Sequence, residues 1–187
     1  MRGEISQAIP LPAALRRSHD VSAGRLEIMA LMHDLDGALA SGQVGLARYT
    51  ATSLIDAAVA VWLRERGVAL PTFEHSTARA RVELAMLAAI NPELERRVSK
   101  LFRAALPLEA EPVRSYCRAV IDLVGELTGH IGDGLASSIR AWAESARATR
   151  DLCERMGVPV KDFYWAPSSA DTWYSDVLKH AARQTRS

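Results

Sequence analysis

The chain is poor in the residues that announce a particular chemistry. Its 187 residues include only two cysteines, Cys117 and Cys153, three lysines, and an aromatic share of 6%. Two cysteines cannot make a disulfide framework, and no C-x-x-C pair is present. Both thiols fall on the apolar stripes of predicted helices, which makes them core residues rather than a bridge or a reactive thiol. There is no glycine-rich phosphate loop of either common type, no H-E-x-x-H and no G-x-S-x-G elbow, so enzymes built on those short motifs are disfavoured. The longest apolar runs, Ala57 to Leu63 and Leu84 to Ile90, fall well short of the roughly 20 residues of a membrane span. The first twenty residues show no continuous apolar stretch behind a basic start. No signal peptide is therefore expected, and the expected compartment is the cytoplasm. Formal net charge is only +1, so no single-sign field draws the chain to nucleic acid or an anionic membrane. Arginine outnumbers lysine 20 to 3, which reads as the coding bias of a GC-rich, bacterial genome before phosphate recognition.

What remains is ordinary globular composition, 49% apolar and 24% charged, long enough for one domain with a real core. The apolar spacing is helical throughout, and nothing reads as a strand pair. The expected fold is all-α: an antiparallel helical bundle of about five core helices plus two C-terminal helices. Residues 1–21, with two prolines and mixed polarity, read as an irregular arm; residues 22–157 form the bundle. Residues 158–187 add a loop and a last helix packed on the same domain. Helix 1 is expected from Ser22 to Ser41–Gly42 on the stripe Ile28, Leu31, Met32, Leu35 and Leu39. Helix 2 follows from Val44 to Arg66 with Gly67 just past its end, and helix 3 from Ser76 to Ile90. Asn91-Pro92 is an N-cap followed by proline at N1, starting helix 4 towards Leu106. Helix 5 spans Pro112 to Ile131. Helix 6 carries the most regular seam: Ile139, Trp142, Ala146, Thr149, Cys153 and Met156 step by 3, 4, 3, 4, 3. The final helix starts near Ser168, where Ser168-x-x-Asp171 resembles a capping box, and continues to about Arg183.

Asp56 is the most informative single residue. It is the one acid in the apolar centre of helix 2, and burying an unpaired carboxylate costs several kcal/mol. It must face solvent, find a partner or line a polar pocket, and its helical face also carries Tyr49, Thr52 and Leu63. A structural hydrogen bond and a ligand-contacting acid are both open readings. His33, Asp34 and Asp36 lie on helix 1, where only His33 and Asp36 could share a ligand, so a solvated face is the expectation. Glu126 and His130 stand at i,i+4, the spacing a di-metal bundle uses, but no second pair exists on another helix. A surface ion pair is expected and no metal or cofactor. Arg96, Arg97, Lys100 and Arg103 are interleaved with Glu93 and Glu95 and read as a solvated face. Phe163, Tyr164, Trp165, Trp173 and Tyr174 crowd the last 25 residues. They suit packing onto the bundle or an interface.

Residues 23–130 resemble the HEPN superfamily and the related substrate-binding domains of nucleotidyltransferases. The likeness rests on a long helix, a short turn, and a second long helix with a central acid in SLIDAAVAVWLRERG. The proline-containing loop VALPTFEHS comes next. By that resemblance Asp56 takes the place of the central acid of the second helix, and His75 the histidine after it. HEPN ribonucleases carry an arginine followed after four to six residues by a histidine. No histidine here has one, so the resemblance implies the non-nuclease branch of helical companions to a catalytic subunit.

Three functions are therefore in view. The first is a non-catalytic helical partner or substrate-binding subunit acting with a separate catalytic protein, in small-molecule or nucleotide-related chemistry. The second is a small all-α enzyme with Asp56, Tyr49, Thr52 and His75 around a polar pocket for a small-molecule ligand, Asp56 and His75 dividing acid and base roles. The third, a nucleic-acid-binding or toxin-like protein, is opposed by near-neutral charge. Self-association through helix 6 or the last helix fits all three.

Overall fold

In the computed structural model, the described residues (13–70, 76–105, 109–129 and 134–157, with the side chains of 76–79 excepted) contain six helices and no strand. They are α1 Ala13–Ala40, α2 Val44–Glu65, α3 Ser76–Ile90, α4 Pro92–Phe102, α5 Ala110–Thr128 and α6 Gly134–Met156. The all-α helical bundle read from the periodicity is the observed architecture. The expected last helix, and the whole of 158–187, lie outside the described residues.

The centre of the bundle is α2, and its sequence explains why. All seven residues from Ala57 to Leu63 are buried, so no face of that stretch meets water. By length and composition alone α2 could cross a membrane. Instead α1, α5, α3 and α4 pack against it. Each large aliphatic side chain hidden this way contributes about 1.5–3 kcal/mol, which is why an apolar-all-round helix moves to the middle. Its C-terminus is locked by Gly67, whose φ of +79° is left-handed. The Val68 and Gly67 amides return to the Leu63 and Arg64 carbonyls at 3.1 and 2.9 Å, a Schellman closure.

The other ends follow local rules as well. Asn91 caps α4 by accepting the Leu94 amide at 3.1 Å on Oδ1, with Pro92 at N1. Gly129 and Gly157, at φ of +72° and +65°, stop α5 and α6.

Four boundaries differ from expectation. Helix α1 begins at Ala13, nine residues before Ser22, so residues 13–21 are helix and not arm. Between Ala13 and Ile28 the buried positions are Leu15, Ser22 and Gly24, and two of these three are too small to read as apolar periodicity. Gly24 is small for a reason: a Cβ there would lie 2.5 Å from Val61 Cγ2 of α2. Helix α4 stops at Phe102 instead of near Leu106. Helix α5 starts two residues early, with Pro112 in its first turn, and stops at Thr128 instead of Ile131 because Gly129 turns left-handed.

Helix α6 lies antiparallel along α1. Thr149 meets Ser18, Ala141 meets Arg25, and Gly134 approaches Met32. The expected seam is seen in Ile139, Trp142, Thr149 and Cys153, all buried, while Met156 at its end is 41% exposed. Both thiols are free and buried, and desolvation raises each pKa above the ordinary thiol value.

Candidate functional site

The accessible face of α2 is a strip that begins at its N-terminus and stops at Asp56. Leu46 and Tyr49 are 47% and 71% exposed, whereas Ala47, Thr50, Ala51, Leu54 and Ile55 between and beyond them are buried. Thr52, Ser53 and Asp56 are half-buried, and from Ala57 to Leu63 the helix is covered. The spacing 46, 49, 53, 56 is one helical face. Thr52 donates to or accepts from the Tyr116 hydroxyl at 3.2 Å, which ties the strip to α5, and its Oγ1 also donates to the Arg48 carbonyl at 3.0 Å. The predicted strip of Tyr49, Thr52 and Asp56 is therefore present as a face, with Tyr49 out in solvent and Asp56 at its inner end. Asp56 is engaged in a polar contact. His75 lies outside the described residues, as do Phe163, Tyr164, Trp165, Trp173 and Tyr174.

A second polar arrangement, invisible to spacing arguments, joins α1, α2 and α6. Arg25 places Nη2 at 2.6 Å from Glu65 Oε1 and donates from Nη1 to the Ala141 carbonyl at 2.8 Å. Its side chain is 13% exposed and that of Glu65 25%. One guanidinium thus pins three helices, which suits its rigid planar fork. One helical turn earlier Ser22 is fully buried, and two turns earlier Ser18 bonds Thr149 at 2.7 Å. Over this polar floor runs an open groove of about 460 Å³. Ala14, Arg17 and Val21 form its α1 wall and Glu144, Ala148 and Leu152 its α6 wall, with Glu65 at one end. Sequence reading did not single out Arg25 or Glu65, because they stand forty residues apart and look like surface charges. Glu83 was also missed. It is 1% exposed on α3 and has a polar partner.

The remaining charges sort themselves on the surface. Glu126 accepts both Nη atoms of Arg97 at 2.8 and 2.6 Å, a bidentate bridge between α4 and α5. This guanidinium holds the Glu126 carboxyl below its usual value, against a smaller opposing effect of burial. Glu126 was expected to pair with His130, which lies outside the described residues. Arg96 bonds Glu93 on α4, and His33 and Asp34 are 78% and 66% exposed, both solvated faces as expected. Among the described residues no group of three or more His, Cys, Asp or Glu side chains is placed to hold a metal ion. No family model, curated protein or solved structure matches the chain.

Proposed function

We propose that the chain is a non-catalytic helical partner or substrate-binding subunit that works beside a separate catalytic protein in the cytoplasm. The observation that carries this reading is the α2 strip. A helix covered on every side from Ala57 to Leu63 leaves Leu46 and Tyr49 in solvent, with Asp56 half-open at the strip's inner end. Tyrosine offers a large amphipathic contact surface at low entropic cost, and a carboxylate at the edge of such a patch adds direction. The long α1, the short turn and the long α2 with its central acid also support the HEPN-like reading, in its non-nuclease branch.

The test is affinity purification of the full chain from its native host, with mass spectrometry of what elutes and light scattering for mass. A stoichiometric catalytic companion, lost on Tyr49→Ala and Leu46→Asp, is the expected result. A stable monomer that turns over a small molecule by itself would overturn the reading and favour the Asp56-centred enzyme. In that case Asp56→Asn is the first variant to assay.

A further inference from the structure

Among the described residues the hydrophobic core divides along α6. The large buried cluster draws its side chains from α1 to α5, and α6 adds only the partly buried Leu135 at its edge. The apolar contacts of α6 form a separate small cluster, in which Ile139 and Trp142 meet Met29 of α1. Helix α6 packs chiefly on α1 and lightly on α5. Its footing on α1 is polar for most of its length. Ser18, Ser22, Arg25 and Met29 recur at spacings of 4, 3 and 4, one helical face. Ser18 bonds Thr149, and Arg25 donates to the Ala141 carbonyl. The Ser22 hydroxyl and Arg25 Nε are buried without a hydrogen-bond partner, so two donors are desolvated here with nothing in exchange. Space flanks the seam on both sides. The groove of about 460 Å³ lies along one, and on the other a cavity of about 10 Å³, the room of roughly one water, separates α5 from the first two turns of α6.

We propose that α6 opens from the bundle as one unit while α1 to α5 stay folded, with the polar seam on α1 as the plane of separation. Opening there hydrates Ser22 and Arg25, which recovers their desolvation, and uncovers the small Met29 cluster. Opening α2 or α5 would instead expose the main core, including the apolar run from Ala57 to Leu63. The two events therefore differ in free energy, which is how one chain comes to contain cooperative units of unequal stability. The Arg25–Glu65 pair joins α1 to α2 and survives the opening. The open form presents Ser18, Ser22, Arg25 and Met29 as a second face on α1. The α2 strip, towards the other end of α2 from Glu65, is common to both forms. The chain thus alternates between two surfaces without unfolding its core.

The two cysteines report on the two parts separately, since both are buried, Cys153 on α6 and Cys117 on α5 within the main core. Treating the native full chain with a thiol reagent and mapping the peptides should show Cys153 labelled at least about 100-fold faster than Cys117. Ile55→Val trims the fully buried centre of α2. It should speed the labelling of Cys117 between about twofold and tenfold and leave Cys153 unchanged, because α6 opens with the core intact. Native-state hydrogen exchange should give the amides of Ile139, Trp142 and Thr149 the same opening constant as Cys153. Equal labelling of the two thiols, or equal acceleration of both by Ile55→Val, would overturn the proposal. So would fast exchange confined to the last turn of α6. None of these readouts needs a catalytic companion, so the partner reading stands or falls separately.

Discussion

Ser18 Oγ lies 2.7 Å from Thr149 Oγ1 and joins residues 131 positions apart across α1 and α6. Thr149 is fully buried and also donates back to the Ser145 carbonyl at 2.9 Å, as a seam threonine should. The bond to Ser18 is what turns this local habit into a tertiary contact.

Replacing Thr149 by Val keeps the volume and removes the acceptor, leaving the half-buried Ser18 hydroxyl without its partner. A loss of about 1–2 kcal/mol is expected, because an unmade bond at a buried site costs its desolvation as well. Thr149→Ser should recover most of it. Urea unfolding of both variants checks this; a Thr149→Val protein as stable as the parent would mean that the contact is not formed in solution.

Gly24 and Gly37 lie in the same helix and should respond in opposite directions to alanine. At Gly24 a Cβ meets Val61 Cγ2 at 2.5 Å, while at Gly37 nothing lies within 4 Å. Alanine gains about 0.5–1 kcal/mol in helix propensity at either site. Overpacking at the α1–α2 crossing costs about 1–3 kcal/mol and outweighs it at Gly24. Gly37→Ala should therefore raise the thermal midpoint and Gly24→Ala lower it; two shifts of the same sign would contradict the close approach.

The start of α1 shows why part of the fold was illegible. Periodicity detects large apolar side chains, so the stripe of Ile28, Met32 and Leu35 was readable. The preceding turns bury Ser22 and Gly24, which pack by being small. Helix ends carried by a single residue's chemistry, Gly67 and Asn91, were readable for the opposite reason. The candidate site divides in the same way. Tyr49, Thr52 and Asp56 share a face because helical spacing says so. The Arg25–Glu65 pair arises only when α1 folds back on α2, and no local pattern encodes it.

That pair gives a prediction about charge burial. Arg25→Met leaves Glu65, 25% exposed, without the guanidinium that holds it. Breaking a buried pair costs about 3–5 kcal/mol, and the partial exposure here brings the expectation to about 2 kcal/mol. The double variant Arg25→Met with Glu65→Leu should regain much of the loss. Denaturant midpoints for the two single variants and the double close the cycle. Strictly additive losses would show that the two side chains do not interact.

The Arg97–Glu126 bridge sets a pH dependence whose sign can be worked out. Glu126 titrates lower in the folded chain than its ordinary value of 4.5, and the Arg97 hydrogen bonds are the first cause. A depressed carboxyl contributes stability that is fully present above the unfolded value and is lost as pH falls through the folded one. Arg97 is raised above its ordinary value by the same contact, so its side of the linkage changes nothing at acid or neutral pH. Both side chains are about half exposed, at 48% and 49%, so solvent and salt screen the pair. The contribution should be about 0.2–1 kcal/mol at low ionic strength. Other carboxyls titrate in both proteins, so the informative quantity is the difference between the parent and Glu126→Gln. That difference in unfolding free energy should be constant from pH 7 to about 5.5 and shrink as the pH falls below 4.5. It should also shrink at pH 7 in 1 M salt. A difference that stays constant as the pH falls below 4.5 would assign the role of Glu126 to packing, and the bridge would then contribute shape and not charge to the α4–α5 contact.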